Sequence, residues 1–407
     1  MHAQFQASEL TTASLTRKGS CKRYYCWEHW SASEPLPRDP AETGDTLQDQ
    51  AITPRTRRHS KPPSIFAPST AEGSTAASTS GIMIPPLITL EEHFFSTESI
   101  SSFEAKYSEQ LKHLPGLADK LQDLGGLRLQ DMDAGRISIQ VISHGPGTLS
   151  TSQCRAANDQ LATAVAQNKS RFAGFAVLPM KEPDAAANEL IRCIRELGFV
   201  GALIDNHVGG RYYDGEGYYP VFQAAQDLDV PIYLHPTWPS EDMRPRYSGN
   251  FTDGAAASLG ASGFGWHSET ALHVLRLFAA GVFDKFPKLK IIVGHFGEML
   301  PFMLQRVCDL SIRWGKFERP FKQVWDENIW ITTSGVWSLD PMACILRNTK
   351  IDHILYSVDY PFAKNEKGLS WMEEFESSGL VGKEDLARIA FKNAESLLRI
   401  KVTETAS

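Results

Sequence analysis

The chain has 407 residues, with 41 Lys and Arg against 48 Asp and Glu, so its formal net charge is −7. A negative net charge argues against nucleic acid or an anionic membrane as the main partner. The spacing of the six cysteines suggests no disulfide framework in a chain of this size. No apolar run approaches the roughly 18 residues of a membrane span, and no apolar signal segment stands near the N-terminus. We therefore expect a cytoplasmic protein.

The first 85 residues differ in composition from the rest of the chain. They are poor in apolar runs and rich in Ser, Thr, Pro and Ala, most clearly over residues 69–81. Such a segment cannot bury enough apolar surface to offset the entropy that ordering costs. We predict a disordered extension over residues 1–85 and one large domain over residues 86–407.

From residue 84 onward, short apolar runs alternate with longer amphipathic stretches. Eight runs are candidate strands, at residues 87–90, 137–142, 172–177, 200–204, 231–234, 290–293, 329–332 and 354–357. Helix-like spacing is clearest over residues 154–168, 183–197, 268–280 and 383–398. This alternation indicates βα units with parallel strands, and eight units favour a closed (β/α)8 barrel of the TIM type. Residues 236–265 are predicted to form a long loop over the rim of the barrel.

Residues that bind metals stand at the ends of several of these strands. Glu91 and His93 are two apart in an extended segment, so their side chains point the same way while Glu92 points away. His235 ends another apolar run and is followed by a proline, and Asp359 comes directly after the last run. Each residue alone has an ordinary structural explanation, such as a satisfied core histidine or a helix cap. Together, at the ends of barrel strands, they predict one metal site at the rim.

A second pair follows the sixth candidate strand. His295 precedes Glu298 by three residues, and a helix that starts here would place both side chains on one face. A histidine oriented by a glutamate can act as a general acid or base near neutral pH. The sequence thus predicts a proton-transfer pair beside the metal ligands.

Taken in order, these motifs resemble the amidohydrolase superfamily and, within it, the metal-dependent aromatic acid decarboxylases such as the γ-resorcylate and dihydroxybenzoate decarboxylases. The resemblance covers residues 84–400 and rests on Glu91-x-His93, His235, Gly294-His295-x-x-Glu298, Asp359 and Asn393-Ala394. It also includes residues 265–272 and 297–302.

The resemblance implies a role for each of these residues. Glu91, His93, His235 and Asp359 match the ligands of one divalent metal, Zn²⁺ or Mn²⁺, and Asp359 also matches the proton carrier. His295 and Glu298 match a catalytic pair near the substrate. Arg306 and Phe362 match a carboxylate-contacting arginine, often supplied by a neighbouring subunit, and an aromatic wall of the substrate site. A homodimer or tetramer is also implied.

The expected activity is that of a carboxy-lyase, the metal-dependent and non-oxidative decarboxylation of an ortho-hydroxybenzoate. One alternative is a metal-dependent hydrolase of a lactone, ester or amide on the same barrel. Glu91-x-His93 in place of the His-x-His of many hydrolases, and the lack of a strand lysine suited to bridge two metals, weigh against it. A barrel that binds a ligand without turnover is the second alternative. The particular acid, the metal and the choice between Asp359 and His295 as proton donor stay open at this point.

Overall fold

The computed structural model describes residues 83–100, 103, 107 and 114–403. Almost all of the predicted extension, residues 1–85, lies outside the described residues. Eight strands form one parallel sheet in chain order. They are β1 (Leu87–Phe94), β2 (Ile137–His144), β3 (Phe172–Ala176), β4 (Gly201–Asp205), β5 (Pro231–His235), β6 (Lys290–Val293), β7 (Ile329–Thr332) and β8 (Ile354–Leu355). The predicted (β/α)8 barrel is confirmed.

The strands are apolar on both faces because one face fills the barrel and the other packs against helices. In β1, Ile88 and Leu90 join the cluster inside the barrel, whereas Leu87 belongs to the outer cluster. All eight predicted strands are present. β1 and β2 run further than predicted, to Phe94 and His144, so the candidate ligands Glu91 and His93 lie within a strand. A register shift between Thr89 and Glu92 bulges β1 at this point.

Helices connect the strands and surround the barrel. They are α1 (Leu117–Gln122), α2 (Gly126–Ala134), α3 (Thr151–Gln167), α4 (Pro183–Arg195), α5 (Tyr219–Leu228), α6 (Asp253–Gly260), α7 (Gly265–Ala279), α8 (Val282–Lys285), α9 (His295–Glu298), α10 (Leu300–Ser311), α11 (Phe321–Asn328), α12 (Leu339–Asn348), α13 (Asn365–Ser378), α14 (Lys383–Ala387) and α15 (Asn393–Leu398). Short 3₁₀ turns lie at Glu216–Tyr218, Arg244–Arg246 and Ile351–His353, and a π-helical turn, Arg388–Lys392, joins α14 to α15.

The four predicted helices correspond to α3, α4, α7 and the run from α14 to α15. The prediction of an irregular loop over residues 236–265 is partly wrong, because this stretch contains α6. The Thr252 side chain accepts a hydrogen bond from the backbone N–H of Ala255 and so caps this helix. Among the described residues, no helix combines the length and the apolar character needed to cross a membrane.

Side chains bridge the seam between β8 and β1. The Ser357 hydroxyl accepts hydrogen bonds from the backbone N–H groups of Leu90 and Glu91, at 3.1 and 2.8 Å. The buried Glu92 carboxylate accepts the N–H groups of Val358 and Tyr360, at 3.2 and 2.8 Å. Glu92 therefore points away from Glu91, as predicted, and joins the two ends of the sheet.

Candidate metal centre

Three predicted ligands converge at one end of the barrel. Glu91, His93 and His235 each offer a ligand atom, and these atoms lie within 4.8 Å of one another. Glu91 Oε1 is 3.0 Å from His235 Nε2. Asp359 lies beside them, with its Oδ1 3.4 Å from His93 Nε2. Glu91 and His93 lie in the carboxyl-terminal half of β1, His235 ends β5 and Asp359 follows β8. This is the side of the barrel where TIM barrels place their active sites.

Both imidazoles are oriented by their other ring nitrogen. His235 Nδ1 lies 2.7 Å from the carbonyl oxygen of Pro236, to which it donates, so its Nε2 carries the free lone pair. His93 Nδ1 lies 3.3 Å from the Ser143 hydroxyl. His93 Nε2 and Glu91 Oε1 are buried, and neither makes a hydrogen bond of normal geometry to the groups beside it. Buried polar atoms without partners are costly, and a divalent cation between them would satisfy both. The residues present therefore fit a metal ion.

Three hydroxyl groups surround the other oxygen of Glu91. Glu91 Oε2 accepts hydrogen bonds from Tyr233 and Ser334, and Thr332 Oγ1 lies 3.5 Å away. These contacts orient the carboxylate so that Oε1 faces the histidines. A Cβ atom at Gly294 would lie 2.8 Å from Glu91 Oε2, so only glycine lets the β6 backbone pass this close.

The His295 and Glu298 side chains form a hydrogen bond across a left-handed turn of the backbone, where the sequence predicts a right-handed helix. His295 Nδ1 lies 2.7 Å from Glu298 Oε1, so the predicted pairing is present. The segment α9 is a left-handed turn and not a right-handed helix, because the five consecutive residues from His295 to Met299 have φ between 48° and 83°. Left-handed geometry costs about 1–2 kcal/mol for each non-glycine residue. Such strain is typical of functional sites.

Burial and neighbouring charges shift the pKa values of the residues at this centre. Burial and the neighbouring Glu91 carboxylate raise the pKa of Asp359 to about 8. Burial and His235 hold the pKa of His93 well below its usual range. Burial acts to raise the pKa of Glu298, but His295 and His267 outweigh it and lower this pKa to about 2. Glu298 is therefore an ionised hydrogen-bond acceptor at neutral pH.

The two predicted substrate contacts have different positions. The Phe362 ring centroid is 5.9 Å from that of His93, and Phe362 lines a cavity of about 340 Å³ together with Asp359 and Trp337. This cavity can hold a single aromatic ring. Arg306 is exposed on α10 and is not among the residues that line this cavity. The role of Arg306 in substrate binding stays a prediction.

Sequence reasoning missed several partners of the centre. Tyr233 and His235 are two apart in β5 and so share a face, which was a usable signal. Thr332, the last residue of β7, and Ser334, two residues further on, gave no signal beyond their place at the end of a strand. The sequence indicates no role for His267, yet its Nδ1 lies 2.6 Å from Glu298 Oε2.

The chain belongs to the amidohydrolase family, whose model matches residues 88–400. Decarboxylase orsB of Emericella nidulans is 55% identical over 325 residues, which cover 78% of this chain and 98% of the relative. The γ-resorcylate decarboxylase of Polaromonas sp. is 35% identical over 333 residues, which cover 77% of this chain and 98% of the relative. One similar solved structure is the crystal structure of a dihydroxybenzoic acid decarboxylase from Polaromonas sp. with bound manganese and the inhibitor 2-nitroresorcinol. It superposes with a TM-score of 0.70 at 33% identity, and the match covers 77% of this chain and 97% of that chain. The resemblance seen in the motifs is confirmed.

Proposed function

We propose that this chain catalyses the metal-dependent, non-oxidative decarboxylation of an aromatic acid with a hydroxyl group ortho to its carboxylate. The observation that carries this proposal is the convergence of Glu91, His93 and His235 at the barrel rim, with Asp359 beside them. Two relatives named as decarboxylases align over 98% of their own length. The 2-nitroresorcinol in the Polaromonas structure has a nitro group between two hydroxyls, which imitates a carboxylate flanked by hydroxyls.

Glu91, His93, His235 and Asp359 are the residues that would hold one divalent ion. Two carboxylates and two neutral imidazoles suit Zn²⁺ or Mn²⁺, and the manganese of the Polaromonas neighbour favours Mn²⁺. When bound, the ion supplies positive charge for the carboxylate and hydroxyl oxygens of the substrate. The hydroxyls around Glu91 and the Pro236 carbonyl beside His235 keep the ligand atoms aimed at one point.

The ring carbon that bears the carboxylate must take up a proton; the bond to the carboxylate carbon then breaks and carbon dioxide leaves. Asp359 and His295 are the two candidates for the delivery of this proton. Glu298 accepts a hydrogen bond from His295 Nδ1, which leaves Nε2 facing the site, 3.7 Å from Glu91 Oε1. A positioned acid contributes roughly 10²–10⁴-fold to the rate. Phe362 and Trp337 line the cavity that would receive the ring.

The test is metal analysis of the purified protein, followed by measurement of carbon dioxide release from a panel of hydroxybenzoates. We expect release from acids with an ortho hydroxyl and none from the meta and para isomers. The hydrolysis of lactones, esters and amides is measured with the same protein samples. Turnover of those substrates without carbon dioxide release would establish the hydrolase alternative. Stoichiometric metal with no turnover of either class would contradict both activities.

A homo-oligomer, formed through the exposed face of α10, completes this proposal. Phe302 and Ile312 are 85% and 73% exposed, which is unusual for large apolar side chains on one helix and its end. Arg306 lies one turn after Phe302 on the same helix, so an interface here would carry Arg306 toward a second subunit.

Mixing two inactive variants tests this arrangement. Arg306→Ala and Asp359→Asn should each lose most activity alone. Co-expressed, they form mixed oligomers in which one site has Asp359 from one chain and Arg306 from the other, so activity should return in part. Absence of recovery in confirmed mixed oligomers would show that Arg306 does not act across subunits. Phe302→Glu should shift the oligomer toward monomer in light scattering.

A further inference from the structure

His267 is the third member of a hydrogen-bonded chain that ends at the candidate site. It lies in the first turn of α7, 31 residues before Glu298, and its side chain is 20% exposed. Glu298 itself is fully buried. Glu298 Oε2 accepts a hydrogen bond from His267 Nδ1 at 2.6 Å, and Glu298 Oε1 accepts one from His295 Nδ1 at 2.7 Å. One carboxylate is therefore fixed at both oxygens by two histidines.

The other ring nitrogen of His267 also faces an acceptor. His267 Nε2 lies 3.1 Å from the carbonyl oxygen of Ser262, in the turn that precedes α7. A carbonyl oxygen and an ionised carboxylate can only accept, so in each of these contacts the His267 nitrogen that faces the oxygen is the donor. Hydrogen bonds to an ionised acceptor such as Glu298 are about twice as strong as bonds between neutral groups. His267 is thus anchored at both nitrogens.

His267, His295 and Glu298 also form a group with the spacing of metal ligands. A metal is not needed to explain it, because both Glu298 oxygens and both His267 nitrogens already have hydrogen-bond partners. The geometry of Glu91 and His93 is different, since each has a buried ligand atom without any such partner. The His267 group is therefore a hydrogen-bonded chain and not a second metal centre.

We propose that His267 is a positioning residue of the decarboxylase site: it holds the Glu298 carboxylate in the rotamer that accepts His295 Nδ1–H and so keeps His295 Nε2 facing the site. This inference rests on the proposed function. Without His267, the Glu298 carboxylate has one partner and can rotate away from His295. Because Ser262 lies in the turn between α6 and α7, the same contact connects the position of that turn to His295.

Three substitutions of one residue test the role. An asparagine amide reaches about as far as Nδ1 and can still donate to Glu298, whereas a glutamine amide reaches about as far as Nε2 and favours Ser262. We expect His267→Ala to lower kcat about 10-fold with KM within about twofold, as is typical for residues that orient a functional group. His267→Asn should restore most of kcat, and His267→Gln should not.

His353→Asn is the matched control for lost stability. His353 is a buried histidine beside the start of β7, where its Nδ1 lies 2.7 Å from the Ile329 carbonyl oxygen. The His353→Asn variant should have a lower midpoint of thermal unfolding than wild type and an unchanged kcat. If His267→Ala does not fold, the kcat values of the Asn and Gln variants, which differ by one methylene, still test the positioning role. Equal kcat in all three His267 variants and the wild type would overturn the proposal.

Crystal structures of the metal-loaded wild type and His267 variants separate this inference from the proposed activity. We expect the Glu298 carboxylate to leave His295 Nδ1 in His267→Ala and to remain in His267→Asn. If wild-type protein releases no carbon dioxide, the proposed function fails, while these structures still judge the positioning role. An unchanged contact between Glu298 and His295 in His267→Ala would overturn that role whatever the activity.

Discussion

Replacement of Tyr233 by phenylalanine should weaken metal binding without disturbing the barrel. Tyr233 is fully buried, and its hydroxyl donates to Glu91 Oε2 while lying 2.8 Å from Thr332 Oγ1. Tyr233→Phe keeps the ring and therefore the packing, and removes one hydrogen bond to a charged group. Such a bond contributes about 1.5–3 kcal/mol, and about 1.4 kcal/mol corresponds to a tenfold change in affinity.

Ser334 still holds the Glu91 carboxylate in this variant, and the Thr332 hydroxyl is near enough to turn toward it. We therefore expect the lower end of the range, about tenfold weaker metal binding. The assay is competition with a chromogenic chelator, with Mn²⁺ and Zn²⁺ measured separately. Tyr213→Phe is the matched control, because Tyr213 is equally buried and its hydroxyl has no hydrogen-bond partner. Metal affinity in Tyr233→Phe equal to that of wild type would refute the orienting role of the hydroxyls.

Three further predictions concern the metal, the proton donor and pH. Removal of metal by a chelator should abolish carbon dioxide release, and Mn²⁺ should restore it; activity that persists in verified metal-free protein would contradict the site. Asp359→Asn that retains metal should lose roughly 10²–10⁴-fold in kcat if Asp359 is the acid, and a near wild-type rate would assign the proton to His295. Burial lowers the pKa of His273 to about 3, below its unfolded value, so its contribution to stability is complete above pH 6.5 and is lost as pH falls toward 3. Chemical unfolding should show that slope at about 1.4 kcal/mol per pH unit, and His273→Gln should remove it; parallel curves would exclude this histidine.

The sequence by itself determined the barrel and the positions of the candidate ligands. Strands buried on both faces are apolar throughout, so their short runs are visible without any knowledge of tertiary contacts. The side-chain period of two in a strand placed Glu91 and His93 on one side and Glu92 on the other, as the structure shows. The end of each apolar run marked the rim, because parallel strands point their carboxyl ends the same way.

Only the tertiary structure decided how the site is held. The Glu91 hydroxyl partners come from β5 and from the segment after β7, and the His267 partner of Glu298 comes from a different helix. Such contacts depend on sheet register and on the path of loops, which local spacing does not encode. The left-handed turn from His295 to Met299 is likewise unfavourable for the isolated residues. It persists because the packed barrel and the hydrogen bonds to Glu298 outweigh the local preference of the chain.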